Sequence, residues 1–532
     1  MGNVQILDCT LRDGGYVNDF RFGKRVIADI IEKLSKGNID IVECGFLVSG
    51  ADDANKSLFG SVEAIKSVLK QKNKNTIYVG MIQYGHIRNE EISVYDGTSI
   101  DGIRVTFHEH EIEEAFILGK QLLNKGYKVF MQPVGTTTYK DEALIQLITR
   151  VNELKPFAFY MVDTLGTMYK KDLLRMFYLI DHNLDEKIAV GFHSHNNLQL
   201  AFSNAQELLQ INTSRRLILD ATVYGMGRGA GNLCTELITQ YINDNIEWKY
   251  NNLEVLEIID EYIKPISKQF TWGYEAAHYI SSICQCHPNY ALYLLDKQTL
   301  HVQDIYAILR SIDEDHKTLY DKKNMEERYL NYMNHAVKDD EALEQIAQQI
   351  NGKEILLLAP GKSLEKNKDK IAKMIETRKY FVISVNFIPK DLAVDMTFVG
   401  NIKRYHQIKS DIENVIENKN LVITSNIESQ AKEKVLVVNY SSCLNDDACI
   451  MDNTGFMCIN LLQRIGVDKI YLAGFDGFQN KIVDNYFDAS MYMDVHDEQL
   501  MQVNDAISKK VAQLSNVMEL VFVTDSVYYR ER

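Results

Sequence analysis

Along the first 235 residues, short runs rich in branched and aromatic side chains recur at 4–8, 39–46, 76–83, 102–107, 128–134, 157–164, 188–195 and 217–224. Between them apolar positions return every three to four residues, as at 25–35, 61–70, 111–123 and 171–180. The first pattern is that of a strand, the second that of a helix with one face on a core. Strands that alternate with helices build a parallel sheet. Eight such units are the number that closes a (β/α)8 TIM barrel, typically about 250 residues long. An open doubly wound sheet is the competing arrangement, and the count of eight favours the barrel.

Residues 236 to 349 lose the strand pattern and read as helices, among them 253–263, 275–284 and 302–312, with 242–246 the one run leaning towards strand. Strand and helix alternate again from residue 354, with further strands expected at 380–386, 396–399, 421–424, 435–438, 469–473 and 520–524. That is the pattern of a doubly wound, Rossmann-like domain. The expected fold class is α/β: a TIM barrel over 1–240, a helical extension over 241–350 and a Rossmann-like α/β domain over 351–532.

The 532 residues carry a formal charge of −15, which argues against nucleic acid or an anionic membrane as partner, since both require a basic surface. No apolar run approaches the ~18 residues of a membrane span. Residues 1–8 lack the basic and apolar regions of a signal peptide, and Ile6 stands where myristoylation requires Ser or Thr. Eight cysteines follow no repeat spacing, and Cys284-Gln285-Cys286-His287 lacks the second ligand pair of a zinc site. The expectation is a cytoplasmic protein and a homo-oligomer acting on a small molecule.

In a TIM barrel the chemistry sits where the strands end. The first strand runs into Thr10-Leu11-Arg12-Asp13-Gly14-Gly15, the seventh ends in His193-Ser194-His195, and the eighth leads to a glycine-rich turn, residues 225–231, followed by Asn232. Residues i and i+2 of a strand share a face, so both imidazoles can point to one spot. Barrel closure makes these three strand ends neighbours. Asp13, His193, His195 and Asn232 can then converge on one divalent cation, and the donor set suits six-coordinate Mn²⁺ or Mg²⁺, with Zn²⁺ as the alternative. The glycine turn imitates a dinucleotide fingerprint but follows the eighth strand rather than the first of a Rossmann unit.

Residues 7–14 (Leu-Asp-Cys-Thr-Leu-Arg-Asp-Gly), Glu43, His193-Ser194-His195 and residues 227–232 together resemble the DRE-TIM metallolyase superfamily. That group includes 4-hydroxy-2-oxovalerate aldolase, 3-hydroxy-3-methylglutaryl-CoA lyase, isopropylmalate synthase and homocitrate synthase. The resemblance spans residues 1–240 and implies Asp13, His193, His195 and Asn232 as metal ligands, Arg12 and Glu43 as catalytic partners, and a role for Asp163-Thr164-Leu165-Gly166. It implies a divalent-metal-dependent aldolase or lyase that breaks or forms a C–C bond in a small 2-oxo acid, of the type that yields pyruvate and an aldehyde. A 2-oxo acid can chelate a cation that stabilises the enolate. Arg12 adds fixed positive charge there, and Glu43 orients Arg12.

The aldolases of this group place a His where this chain has Tyr16, and the acyl-CoA synthases place Glu-Gln where it has Gly15-Tyr16. Tyr16 is left as base, acid, substrate hydrogen bond or wall residue, since a phenol titrates near pH 10. His108 and His110, beyond the fourth strand, are alternative acid–base candidates. A Claisen-condensing synthase is the disfavoured alternative.

The C-terminal segment is similar to bacterial lipooligosaccharide sialyltransferases in short pieces: a Pro360-Gly361-Lys362-Ser363 turn, Asn386, Asp476 in Gly474-Phe475-Asp476, and His496. That similarity implies Gly361, Ser363, Asn386, Asp476 and His496 as nucleotide-binding or transferase residues, with a nucleotide or a CMP-sugar-like nucleotide sugar as ligand and a part in surface-polysaccharide precursor synthesis. Glycosyl transfer by this domain, or a docking role without catalysis, are the other readings.

Overall fold

In the computed structural model, eight parallel strands form a closed cylinder: Val4–Asp8 (β1), Ile41–Leu47 (β2), Ile77–Gln83 (β3), Gly102–Phe107 (β4), Lys128–Pro133 (β5), Ala158–Asp163 (β6), Ala189–Ser194 (β7) and Leu217–Ala221 (β8). The residues described are 4–317, 320–415, 420–428, 435–479, 485–488, 491 and 497–528. β1 pairs with β8 in register Val4↔Leu217 to Asp8↔Ala221 and with β2 through Leu7↔Ile41, which closes the barrel. Buried on both faces, these strands are near-continuous apolar runs rather than alternating ones. The intervening α-helices turn one stripe inward. In Lys24–Lys36 that stripe is Ile27, Ile30, Ile31 and Leu34. Between β3 and β4 stands only the short 3-10 turn Asn89–Glu91, which buries no residue.

Leu7, Ile41, Val79, Phe130, Tyr160 and Ile218, from six strands, fill a layer of the interior. Glu43 on β2 and Asp220 on β8 stand two residues beyond Ile41 and Ile218 on the same inward face, and Arg104 on β4 and His193 on β7 join them through hydrogen bonds. All four are buried. Gly191 leaves the space that the Tyr160 ring fills, since a Cβ there would lie 2.4 Å from the ring.

Several elements differ from the sequence reading. Residues 242–245 belong to the helix Thr235–Asn245, with Ile246 as its C-cap, because Ile238 and Ile242 are spaced to bury one helical face. The eighth strand stops at Ala221 and turns through Val223–Gly225. The helix expected over 61–70 is the shorter Val62–Lys66, capped by Ser61. A two-residue strand, Leu58–Phe59, adds to β2 beside a register shift between Glu43 and Phe46. Gly45 sits there at φ 145°, where a Cβ would meet Ser57 O at 2.1 Å.

The chain divides into two units, Met1–Pro288 with Lys317–Leu319, and Asn289–His316 with Tyr320–Arg532. The helical stretch after the barrel is therefore shared between them. Val255, Ile258 and Ile263 bury against the barrel's helices, and Tyr262 donates to Asp29 at 3.1 Å. Helices beyond residue 289 belong with the second sheet, where Tyr329 donates to Asp452 at 2.6 Å and Arg464 holds Asp339 at 3.0 and 3.1 Å. Amphipathic periodicity shows that a helix has a buried face but not which core receives it.

The second unit carries seven parallel strands: Glu354–Leu358 (β9), Tyr380–Val385 (β10), Met396–Val399 (β11), Asn420–Thr424 (β12), Val435–Val438 (β13), Lys469–Ala473 (β14) and Glu519–Phe522 (β15). Their order is β13-β12-β11-β10-β9-β14-β15, so the chain reverses direction across the sheet between β9 and β14. Among the described residues no helix is long and apolar enough to cross a membrane.

Candidate active site

Past β1 the chain turns sharply, with Asp13 N donating to Cys9 O at 2.8 Å, and brings Arg12 and Asp13 over the open end of the barrel. Arg12 Nε donates to Glu43 Oε2 at 2.8 Å, and its Nη1 to Asp13 Oδ1 at 2.6 Å. Glu43 Oε2 also accepts from Arg104 Nη1 at 2.9 Å. The other arm of Arg104 reaches Asp220 Oδ2, which lies 3.0 Å from His193 Nδ1. One buried guanidinium thus links the carboxylate that orients Arg12 to the carboxylate that orients His193.

Asp13, His193 and His195 each offer a ligand atom within 4.8 Å of the others. Atoms bound ~2.1 Å from one ion lie up to ~4.2 Å apart, so small side-chain shifts suffice. His195 and Asn232 are bridged side by side. Asn232 Nδ2 donates to Asp13 Oδ2 at 2.5 Å and to Met226 O at 3.2 Å, while its Oδ1 is buried without a partner among the described residues. An amide oxygen left bare beside a carboxylate and two imidazoles suits a cation. So does the charge: three buried carboxylates (Asp13, Glu43, Asp220) face two guanidiniums (Arg12, Arg104).

Burial works to raise the Asp13 carboxyl, but Arg12 and the two imidazoles hold it well below the usual range. Asp220 is likewise kept low against burial by Arg104 and His193. Burial pushes His195 down to about 4, which leaves a lone pair for a metal at neutral pH. Cys9 lies near His193 and Asp220, yet burial drives its thiol far upward, so it stays a neutral side chain donating to Ala221 O at 3.4 Å.

Residues 3–260 match the profile of the HMGL-like family. They form an HMGL-like domain of the DRE-TIM type. Over 238 residues the chain is 28% identical to an oxaloacetate decarboxylase of Mycobacterium tuberculosis, covering 44% of this chain and 68% of that protein. Over 270 residues it is 24% identical to a 4-hydroxy-2-oxovalerate aldolase of Geobacillus genomosp. 3, covering 49% and 77%. Among solved structures, the HMG-CoA lyase of Brucella melitensis is 16% identical, with a TM-score of 0.39, over 48% of this chain and 96% of that one.

In the HMGL-like domain Tyr16 sits on the turn Gly14–Val17, packed edge-on against Phe20 and Phe46 at 5.0 and 5.9 Å. Burial raises its phenol, outweighing Arg228 and Arg12, so Tyr16 keeps its proton at neutral pH. That suits a hydrogen-bond donor and disfavours a base. His108 and His110 stack on each other at 5.8 Å, with His110 exposed, and no contact among the described residues joins them to the cluster. Asp163 caps its own turn, accepting from Thr167 N and Met168 N at 2.9 and 3.0 Å, and burial pushes it up to about 6.

Arg104 and Asp220 were not legible from motif spacing. Their signal is a charge at an inward position of an otherwise apolar strand, in Gly-Ile-Arg-Val and Leu-Ile-Leu-Asp. A hydrogen-bonded carboxylate behind a ligating histidine typically changes metal affinity 10–100-fold. Asp220→Asn is therefore expected to weaken Mn²⁺ binding by about that factor, measured by calorimetry, while the secondary structure persists.

In the second unit the Gly361–Ser363 turn is satisfied from within. Ser363 N donates to Asp476 Oδ2 at 2.6 Å, and a Cβ on Gly361 would meet Gly474 O at 2.2 Å. The anion at that turn is the chain's own Asp476. Asn386 adopts φ 62° and accepts from Gly400 N at 3.3 Å. His496 lies outside the described residues.

Proposed function

We propose that the chain is a divalent-metal-dependent lyase that breaks, or in reverse forms, a C–C bond of a small 2-oxo acid with pyruvate as one product. The convergence of Asp13, His193, His195 and Asn232, with Arg12 clamped between Glu43 and Asp13, carries this reading. Relatives named for 4-hydroxy-2-oxovalerate cleavage and oxaloacetate decarboxylation lend support, because both reactions pass through the enolate of pyruvate.

Asp13, His193, His195 and Asn232 would hold the ion, Mn²⁺ or Mg²⁺ by the donor set, with Zn²⁺ as the alternative. A bound cation supplies Lewis-acid polarisation of the keto group. In the cleavage direction the C4 hydroxyl gives up a proton that the net reaction returns to C3, the C3–C4 bond breaks as C4–O becomes the aldehyde carbonyl, and the electron pair passes to C3 and the keto oxygen. Protonation at C3 then gives pyruvate. Arg12, fixed by two carboxylates, keeps a buried Nη2 with no partner among the described residues. A preorganised donor of this kind contributes typically ~2.7–4 kcal/mol where negative charge develops. Tyr16, held protonated, serves as a hydrogen-bond donor at the mouth.

The metal-loaded chain is expected to release pyruvate from at least one member of a panel of 4-hydroxy-2-oxo acids and oxaloacetate. EDTA should abolish the activity and Mn²⁺ restore it, read by a lactate dehydrogenase-coupled assay. No pyruvate from any member with Mn²⁺, Mg²⁺ or Zn²⁺ would discard the proposal.

For the second unit we propose a nucleotide or nucleotide-sugar ligand. A cavity of about 390 Å³ opens at the ends of β9, β10 and β14, lined by Gly361, Asn386, Arg404, Asn453 and Asp476. This is the crevice where strand order reverses, which open α/β sheets use for ligands. A rise in melting temperature of the full chain with CMP, CDP or UDP is expected. No response to any of them would leave docking as the role.

A further inference from the structure

The glycine-rich turn after β8 carries a cation that the reaction outlined above does not use. Gly227 runs directly against two candidate ligands: a Cβ there would lie 2.1 Å from Asn232 Nδ2 and 3.1 Å from Asp13 Oδ2. Arg228 is the next residue, so its side chain leaves the backbone at the rim of the cluster. Its guanidinium lies over the Tyr16 ring, with Cζ 3.4 Å from the centroid. Tyr16 is itself braced by Phe20 and Phe46, so the stack rests on a fixed platform. The charge is close enough to act on both His195 and Tyr16.

In a chain with 73 acidic side chains, no carboxylate among the described residues lies within 4.0 Å of Arg228, and its side chain makes no hydrogen bond there. Arg228 is nevertheless exposed. An ordinary surface arginine on an acidic protein finds an acid or extends into water. A guanidinium lying over an aromatic face keeps its N–H edge available for a planar anion.

Resting on the 2-oxo acid reading of this site, we propose that Arg228 is a specificity-determining residue. It selects substrates that carry a second carboxylate, at the end distal to the keto acid. The keto-acid end belongs at the Asp13, His193, His195 and Asn232 cluster beside Arg12, and the distal carboxylate takes the N–H edge of Arg228 in a charge-assisted pair. The substrate class is then a dicarboxylic 2-oxo acid, and the fragment released with pyruvate carries the second carboxylate or is CO₂ derived from it.

Two matched pairs of probes test this on the full Mn²⁺-loaded chain, as wild type, Arg228→Gln and Arg228→Lys. The turnover pair is 4-hydroxy-2-oxoglutarate and 4-hydroxy-2-oxopentanoate, which differ in a terminal carboxylate against a methyl. The binding pair, followed by calorimetry, is 2-oxoglutarate and 2-oxopentanoate, with the same difference and no cleavable bond. The dicarboxylate is expected to be preferred about 10- to 100-fold by the wild type in both kcat/KM and Kd. The ratio should fall towards one in Arg228→Gln, be partly retained in Arg228→Lys, and shrink with added salt. A ratio near one in the wild type, or one unchanged in Arg228→Gln, overturns the assignment of Arg228 while the lyase reading stands on its turnover. Absence of both binding and turnover for all four compounds overturns the two together.

Discussion

Asp13→Asn is expected to weaken Mn²⁺ binding more than about 100-fold and to lower pyruvate formation about 1000-fold, with the fold intact. Outer partners of a metal ligand already change affinity 10–100-fold, and a lost charge-stabilising group at a reacting centre costs about 10²–10³ in turnover. Asp13 is the one anionic member of the four candidate ligands, and Arg12 with the imidazoles keeps it ionised despite burial. Asparagine preserves its shape and its neighbours but removes that charge. Metal content by mass spectrometry after dialysis, calorimetry and circular dichroism separate loss of the ion from loss of the fold. Full metal occupancy in both Asp13→Asn and His193→Ala would remove the ligand assignment.

Arg104→Leu is expected to destabilise the barrel by about 3–5 kcal/mol, the usual cost of leaving a buried charge without its partner. At roughly 2–4 °C per kcal/mol for a domain of 150–250 residues, the melting temperature should fall about 6–20 °C. Arg104 is fully buried, bonds Glu43 on one side and Asp220 on the other, and lies 4.8 Å over the Tyr160 ring. Its loss leaves Glu43 with Arg12 and Asp220 with His193 as remaining partners, one buried positive charge short. The triple variant Arg104→Leu, Glu43→Gln, Asp220→Asn should recover much of the stability, because neutralising all three removes the uncompensated charge. A melting temperature for Arg104→Leu within a degree of wild type would show that the two carboxylates do not depend on it.

The barrel was legible because its strands are apolar runs at regular spacing and its candidate ligands follow those runs directly. Asp13, His193 and His195 lie at or just past a strand end, Asn232 follows β8 after the glycine-rich turn, and the period of two forecasts that the histidines share a face. Arg104 and Asp220 escaped because they stand inside strands, where only the parity of the pleat marks them as inward. The role of Tyr16 was open because a phenol's acidity is set by surroundings that no local pattern contains. In the second unit the resemblance points to Asp476 as a nucleotide-binding residue but not to its bond with Ser363, 113 positions away, whose turn it caps. A turn that looks ready for an anion in sequence can be filled by a side chain from far along the chain.

The first strand finds its neighbours on both sides only when the last strand has been made, since Val4 lies beside Leu217 and Leu7 beside Ile41. During synthesis the N-terminal strand therefore waits with an open edge until the polypeptide beyond residue 221 has left the ribosome. Such long-range pairing slows folding and exposes an adhesive strand to other nascent chains. Truncations that end before β8 are accordingly expected to aggregate rather than to yield a smaller soluble piece.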